Sequence, residues 1–129
     1  MVKLDDKTKS LLNGKNFAFV ATLNKDGSPN LTPTWVDTDG EHILINTALG
    51  RKKTRNVIVD PRIAVSVFDH DNPYDAVSIT GNVVKMIKGK RAEDHIDKLS
   101  YKYRGERIYK GRDPAVKRVI LLIEPTKIY

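Results

Sequence analysis

The chain contains no cysteine, and this absence excludes disulfide bonds, thiolate metal sites and a cysteine nucleophile. It also has no apolar run near 18 residues, and residues 1–7 hold no apolar stretch of signal-peptide length. We therefore expect a cytoplasmic protein that does not insert into a membrane. Aromatic residues are scarce as well, and they include a single tryptophan, Trp35.

The usual sequence patterns of enzymes with catalytic side chains are also missing. There is no Ser-His-Asp set, no metal motif, no phosphate-loop lysine motif and no dinucleotide-fold glycine fingerprint. The segment Asp69-His70-Asp71 is a poor metal site, because adjacent ligands on a loop converge badly and no second cluster supports them. We interpret His42 and His95 as structural. If the protein is an enzyme, a bound cofactor must supply its chemistry.

Acidic residues are outnumbered, with 16 Asp and Glu against 23 Lys and Arg, so the 129-residue chain carries a net charge of +7. The excess is concentrated in two stretches. Residues 51–62 hold five basic residues and one acidic residue, and residues 98–118 hold eight and two. Such a balance favours an anionic partner, either a small molecule that carries phosphate or a nucleic acid.

Hydrophobic patterning predicts a single domain over residues 1–129, β-dominated α+β in class, with six or seven strands and three short helices. Helices are predicted at residues 4–13, 51–59 and 90–104, and strands at 17–23, 30–37, 42–47, 62–68, 77–86 and 119–123. Short turns between the first three strands predict an antiparallel meander. Closure of the sheet into a small barrel would remove its edges.

Glycine and proline mark irregular points in the predicted strands. Pro33 indicates an edge strand, a bulge or a backbone that bends toward a ligand, and Gly81 indicates a bulge or a barrel corner. Pro125 is predicted to end the last strand, whose run Val119–Ile123 is apolar on both faces. That run suits a strand buried on both sides, with a subunit interface as one possible cover.

The segment Gly50–Asn56 places a glycine turn before a helix whose first turn carries Arg51, Lys52 and Lys53. A helix N-terminus already carries partial positive charge, so each cation there should cost about 0.3–1 kcal/mol. Backbone N–H groups at a helix start, joined by lysine and arginine, form a phosphate site. We expect Lys53 and either Arg51 or Lys52 to bind the anion, because three consecutive helical residues cannot point one way. A solvated basic helix face is the alternative.

The segment Thr32-Pro33-Thr34-Trp35 places the tryptophan beside two hydroxyl groups and a proline. One interpretation is that Trp35 is a core aromatic residue. The other is that backbone and hydroxyl groups of this strand, which we place next to the strand at 42–47, hydrogen-bond a flat heterocycle in an apolar cleft. Asn46 and Thr47 form the polar end of that neighbouring strand, just before the basic cluster.

In chain order, the segments FAFVATLNKDGSPNLTPTWV, ILINTALGRKKTRNVIVDPRIAVSVFD and AVSITGNV resemble the pyridoxamine 5′-phosphate oxidase-like, FMN-binding split-barrel family. The resemblance covers roughly residues 5–129 and is greatest to the small single-domain, deazaflavin-dependent members. It implies a six-stranded split β-barrel with a few short helices. It also implies a homodimer that holds FMN, or alternatively the deazaflavin coenzyme F420, at the subunit interface.

The resemblance further implies which residues bind the cofactor. The phosphate ligands would be Lys53 and Lys52, with Arg51 as a weaker candidate. The isoalloxazine and ribityl chain would run along Thr32, Pro33, Thr34 and Trp35, and the ring or tail would contact Asn46 and Thr47. Two residues match the motif without a defined role, Arg55 and Asn56. The second subunit would contribute residues around Tyr74 and Ser78.

The resemblance thus predicts an oxidoreductase that uses FMN or a deazaflavin for hydride-type redox on a small organic substrate, with no catalytic side chain assigned. The longer C-terminal substrate-binding portion of true pyridoxamine phosphate oxidases is lacking, so oxidation of vitamin B6 phosphate is not expected. Two alternatives remain. One is a flavin-binding protein without turnover; the other is a nucleic-acid-binding small barrel that stacks bases on Tyr101, Tyr103 and Tyr109. A helix and loop covering a barrel end would explain residues 98–118 without nucleic acid.

Overall fold

The computed structural model describes all residues from 1 to 129 and contains seven strands and three helices. They follow in the order α1 (Asp6–Asn13), β1 (Ala18–Leu23), β2 (Pro29–Thr34), β3 (Asp37–Thr38), β4 (Ile43–Ala48), α2 (Lys52–Val59), β5 (Arg62–Phe68), β6 (Ala76–Lys88), α3 (Lys90–Arg104) and β7 (Arg118–Ile128). The predicted class, β-dominated α+β, is confirmed. Six strands are long, and β3 has only two residues.

All strands form one antiparallel sheet in the order β2-β1-β5-β6-β7-β4-β3. Laid flat, seven strands would extend about 29 Å across, at roughly 4.8 Å between neighbours. The two edge strands, β2 and β3, are nevertheless separated in the chain only by Trp35 and Val36, which can span about 11 Å at most. The sheet must therefore curl until its edges approach. The result is a barrel that is split between β2 and β3.

The predicted meander of the first three long strands is wrong. β1 pairs with β2, but β4 pairs with β3 and β7 at the far end of the sheet. The strand that carries Thr32 is therefore not hydrogen-bonded to the strand that carries Asn46. Side-chain alternation determines which residues face the core, but it does not encode which strand lies alongside.

One apolar core fills the concave side of the curled sheet. Leu11 and Leu12 from α1 and Val57 from α2 close it, and Leu4, just before α1, joins them. The strands contribute Ala18, Val20, Ile43, Ile45, Ile63, Val65, Val67, Val77, Ile79, Leu121 and Ile123. Each large side chain buried in this way contributes about 1.5–3 kcal/mol. The core thus fixes α2 against the sheet, and with it the basic residues at the start of α2.

Helix α3 covers part of the convex side of the sheet. Its predicted stripe of Ala92, Ile96, Leu99 and Tyr103 is buried, and Ala92 packs in a cluster with residues of β4, β6 and β7. The run Val119–Ile123 is therefore covered on one face by the core and on the other by α3. Burial on both faces is confirmed, and within the chain the cover is the core on one side and α3 on the other.

Strand β7 continues past Pro125 to Ile128, so the prediction that Pro125 ends it is wrong. Pro125 lies opposite Gly81, where the register between β6 and β7 shifts. At this predicted bulge the ladder is already interrupted, and a missing N–H costs little. Gly81 lies so close to the carbonyl of Glu124 that a Cβ would collide with it. The bulge at Gly81 is thus confirmed.

The convex face of β2, β1, β5 and the first half of β6 has no helix over it. Pro33, Phe19, Ser66 and Ser78 form a row across these four strands, and all four side chains are uncharged. Leu31, on the same face of β2, is 63% exposed. Pro33 stands on the edge strand β2, which confirms the edge interpretation of that proline.

Candidate functional site

Helix α2 begins without the groups that usually satisfy a helix N-terminus. Gly50 has a φ of 89°, which turns the chain from β4 into the helix. Arg51 is the N-cap residue, and its side chain makes no capping hydrogen bond. The first turn contains no acidic residue. The start of α2 therefore presents positive charge and uncapped N–H groups, an arrangement that favours a bound anion.

Lys53 lies half-buried between α2 and β2. Its Nζ donates a hydrogen bond of 3.1 Å to Oγ1 of Thr32. Burial lowers the pKa of Lys53, and the nearby charges of Arg51 and Arg118 lower it further. Since all three neighbouring groups are cations, each one makes the charged form of the others less favourable.

The cluster of Lys53, Arg51 and Arg118 has no carboxylate in salt-bridge contact; Glu93, which accepts a hydrogen bond from the backbone N–H of Arg118, is the one acidic side chain whose charge favours Arg118. None of the three side chains takes part in an ion pair within the chain. A partly buried cation without a counter-ion costs free energy. A phosphate group among these three side chains would remove that cost and would accept charge-assisted hydrogen bonds.

Arg118, at the start of β7, is the main residue that the sequence analysis missed. Its Nε donates to Oδ1 of Asn46 at 3.0 Å, and its guanidinium carbon lies 5.7 Å from the ring centre of Tyr109. Burial lowers the pKa of Arg118. The sequence showed Arg118 only as one of eight basic residues in 98–118. Its position directly before an apolar strand was the one available signal that it would be held close to the core.

Aromatic side chains form one wall of the cleft beside these cations. Trp35 stacks on Tyr103 with ring centres 5.1 Å apart, and Tyr109 meets Trp35 edge-on at 6.0 Å. The cavity has a volume of about 310 Å³, and its lining consists of Phe17, Thr34, Trp35, Asn46, Ile96, Arg104, Tyr109 and Arg118. Trp35 is thus half-buried, with one face in the aromatic cluster. Flat apolar walls with a few polar groups suit a planar ligand.

A buried polar chain lies beneath the cleft. Asn46 donates to the carbonyl of Ala92 at 2.9 Å and contacts Nδ1 of His95 at 3.1 Å. Nε2 of His95 lies 2.9 Å from Oδ2 of Asp37. Burial would raise the pKa of Asp37, but hydrogen bonds from His95, the Thr38 backbone and Lys98 lower it to about 2. His95 therefore has a structural role, and it is connected to the cleft through Asn46.

The structure brings part of the predicted set of site residues together. At or beside the cleft are Lys53, Arg51, Thr32, Thr34, Trp35 and Asn46. These residues lie close together across the split of the barrel. Strands β2 and β4 are not paired as the sequence predicted, but their predicted site residues are still neighbours in space.

The remaining predicted site residues lie elsewhere. Thr47 is buried on the opposite face of β4 from Asn46, and Pro33 is on the convex face of β2. A second cavity, beside the loop between β1 and β2, is bordered by Lys52, Arg55 and Asn56. The amide of Asn56 donates to Thr22 and Asn24, so it ties α2 to β1.

The basic stretch 98–118 is largely engaged within the chain. Tyr103 is buried and its hydroxyl donates to the carbonyl of Asn16, so it cannot serve as a stacking platform for a base. Lys102 donates to two backbone carbonyls, and Arg112 pairs with Glu93 and Asp97. This arrangement matches a helix and loop that cover one side of the barrel, and it does not favour the nucleic-acid alternative.

Other candidate features have local structural roles. The backbone N–H of His70 donates to Asn16, and Nδ1 of His42 contacts Asp39 at 3.0 Å. No three side chains of the His, Cys, Asp and Glu types converge as a metal site would require. The helices are too short or too polar for any of them to span a bilayer.

Comparison with known proteins agrees with this geometry. The sequence model for pyridoxamine 5′-phosphate oxidase matches residues 4–129. The chain therefore belongs to the pyridoxamine 5′-phosphate oxidase family, and the resemblance noted from its sequence is confirmed.

Solved structures extend the comparison. The structure of an F420 reductase is 28% identical in sequence, with a TM-score of 0.85 over 98% of both chains. A conserved hypothetical protein from Mycobacterium tuberculosis is 25% identical, with a TM-score of 0.75 over 99% of this chain and 84% of that one. HupZ from Group A Streptococcus shares the fold at 18% identity, with a TM-score of 0.69 over 98% and 92% of the two chains.

Proposed function

We propose that the protein binds a phosphate-bearing flavin or deazaflavin, FMN or coenzyme F420, in the cleft between β2, β4 and the start of α2. The observation that carries this proposal is the cluster of half-buried Lys53 and Arg118 with exposed Arg51, none of them in a salt bridge, around the uncapped end of α2. Membership of the pyridoxamine 5′-phosphate oxidase family and the similarity to an F420 reductase support a flavin- or deazaflavin-associated fold.

The residues at the cleft fit such a cofactor. Lys53, Arg51, Arg118 and the N–H groups at the start of α2 would hold the phosphate, with Thr32 keeping Lys53 in place. Thr34, Trp35 and Asn46 line the adjoining cavity, where a planar ring system would lie. Lys52, Arg55 and Asn56 border the other cavity, so we assign the phosphate to Lys53 and Arg51, one of the two pairs that the sequence left open.

We further propose that the protein is an oxidoreductase that acts on a small organic substrate. A bound flavin or deazaflavin supplies hydride transfer, and the chain supplies orientation. Trp35 and Tyr109 would restrict the orientation of the ring, while Arg118 would favour negative charge in the cleft. A flavin-binding protein without turnover is the second candidate, since no side chain of the cleft is placed as an acid–base pair.

We propose a homodimer as the working form. The convex face with Phe19, Leu31 and Pro33, whose central row is uncharged, is the surface that would pair, and Ser78 lies on it. Exposed apolar area of this kind is typical of an interface. Leu31→Glu should shift the molar mass measured by light scattering from two chains to one. A wild-type mass of a single chain would refute the dimer.

The proposed function is tested by titrating the purified protein separately with FMN and with F420. Absorbance and fluorescence should show saturable binding of at least one cofactor at micromolar concentration or below. Failure of both to bind would refute the proposal. Turnover is tested with the reduced cofactor and a quinone acceptor, because an oxidoreductase should accelerate reoxidation beyond that of the free cofactor, whereas a binding protein should not.

A further inference from the structure

Four polar side chains form a continuous chain from β3 to the cleft: Asp37, His95, Asn46 and Arg118. The first three are almost fully buried, with relative exposures of 3%, 8% and 5%. Buried polar groups are tolerated when they are hydrogen-bonded, and here each partner is the next member of the chain. Asn46 and His95 are therefore placed to transmit a change at the buried end to Arg118 in the cleft.

The direction of each hydrogen bond follows from two partners of Asn46 whose roles are fixed, Arg118 and the backbone carbonyl of Ala92. Nε of Arg118 can only donate, so its partner at 3.0 Å is the carbonyl oxygen of Asn46. The backbone carbonyl of Ala92 can only accept, so its partner at 2.9 Å is the amide nitrogen of Asn46. The second hydrogen of that nitrogen points at Nδ1 of His95, 3.1 Å away. Nδ1 must therefore accept, and it carries no proton.

The proton of neutral His95 consequently lies on Nε2, which donates to Oδ2 of Asp37 at 2.9 Å. Asp37 is itself held in position by Lys98, whose Nζ donates to the same oxygen at 3.2 Å. A carboxylate behind an imidazole selects one tautomer of the ring. The orientation of the Asn46 amide is thus set from below by His95 and from the side by Ala92.

We propose that Asn46 and His95 are positioning residues that aim the guanidinium of Arg118 at a bound phosphate, and that protonation of His95 breaks the hydrogen bond that holds Arg118 in this orientation. The inference rests on the proposed function for the identity of the phosphate ligand. A proton on Nδ1 of His95 would face the N–H of Asn46, donor against donor. The amide would have to rotate, which gives up its hydrogen bond to the carbonyl of Ala92 and replaces the oxygen facing Arg118 with an NH₂ group. The hydrogen bond between Asn46 and Arg118 is then lost.

The charged groups around His95 come from each packed element. Asp37 on β3 is the anion that contacts the imidazole. Lys98 on α3 pairs with Asp37, Lys102 on α3 lies near it, and Arg118 on β7 contacts Asn46. Glu93, also on α3, pairs with Arg112 and accepts from the backbone N–H of Arg118, and β4 contributes only the uncharged Asn46. The charged groups linked to His95 through the hydrogen-bonded chain are thus Asp37, Lys98 and Arg118.

Nitrogen-15 NMR of the cofactor-free protein tests this inference directly. At neutral pH the His95 ring should show the Nε2–H tautomer, and the Nε–H of Arg118 should give a protected signal. Acidification should abolish the Arg118 signal with the midpoint at which His95 gains its second proton. In His95→Gln, which keeps one donor and one acceptor but does not titrate, the signal should persist. An Nδ1–H tautomer, or an Arg118 signal indifferent to His95, would overturn the inference.

Binding of FMN and F420 across the same pH range separates this inference from the proposed function. Wild-type affinity should fall about 10- to 100-fold as His95 is protonated, the scale of a hydrogen bond to a charged group, and His95→Gln should not show this fall. The phosphate of the cofactor titrates in the same way in both experiments. The difference between the pH profiles of the wild type and His95→Gln therefore isolates the contribution of His95. An identical pH profile in both would overturn the inference and leave the proposed function intact. Coupled NMR titrations without binding of either cofactor would support the positioning and refute the proposed function.

Lys98→Gln is the matched control on the same helix. It removes an exposed cation that contacts Asp37 but leaves the Asn46–His95 bond in place. The Arg118 signal should survive at neutral pH in this variant and should still be lost together with His95 titration. Loss of the signal at neutral pH in Lys98→Gln would show that Arg118 responds to any change near Asp37, which would contradict the proposed role of His95.

Discussion

Replacing Lys53 with Met removes the cation at the centre of the proposed phosphate site and keeps most of the apolar stem. The lost contact is a hydrogen bond between a charged donor and a phosphate oxygen, worth about 1.5–3 kcal/mol. Binding of FMN or F420 should therefore weaken by a factor of roughly 10 to 150. Isothermal titration calorimetry measures this directly.

The same substitution should leave the cofactor-free fold intact. Burial and the charges of Arg51 and Arg118 lower the pKa of Lys53, so its charged form is less favourable in the folded state than in the unfolded chain. Only the hydrogen bond to Thr32 is given up. The free energy of unfolding of Lys53→Met, measured with denaturant, should equal or exceed that of the wild type.

Lys52→Met is the matched control, since it makes the same change one residue earlier. Lys52 is exposed and borders the other cavity with Asp26. Its loss should change the binding free energy by less than about 1 kcal/mol, as expected of an exposed charge. Equal losses of affinity in the two variants, or a Lys53→Met protein that binds normally, would refute this account of the site.

Three further predictions concern stability. Gly81→Ala should lower the free energy of unfolding by about 1–3 kcal/mol, because the added Cβ meets the carbonyl of Glu124; an unchanged denaturation midpoint would contradict it. Tyr103→Phe should cost about 1–3 kcal/mol, since the lost hydroxyl leaves the N–H of Val36 and the carbonyl of Asn16 unpaired, and retention of wild-type stability would argue against that bridge. The pKa of Asp37 is lowered from 3.8 to about 2, so its ionised form stabilises the fold above pH 3.8 by about 2 kcal/mol, and that contribution is lost as the pH falls toward 2. Asp37→Asn should lack this acid-dependent part in denaturation curves at pH 5 and pH 2.5; an identical slope in both proteins would count against it.

Elements that depend on local patterning could be predicted from the sequence. The apolar stripe of α3 identified its buried face, and Gly81 indicated the bulge. The neighbour of β4 could not be predicted, because strand pairing is decided by the whole sheet. The continuation of β7 past Pro125 could not be predicted for the same reason, since the partner of Pro125 is Gly81, 44 positions earlier in the sequence.

The candidate site shows the same division. Lys53 was identifiable because a cation at a helix N-terminus is locally unfavourable. Arg118 and the His95–Asn46 contact were not, because they join α3, β4 and β7, which are far apart in the chain. Thr47 was predicted together with Asn46 although alternation places their side chains on opposite faces of β4.

The central claim is that the cleft recognises the phosphate of its cofactor. It is tested most directly by comparing the dissociation constants of FMN and riboflavin, which differ only in that phosphate, together with F420 and its phosphate-free chromophore. We predict that the phosphorylated member of at least one pair binds at least about tenfold more tightly, and that Lys53→Met abolishes the difference. Equal affinity within both pairs would contradict the claim.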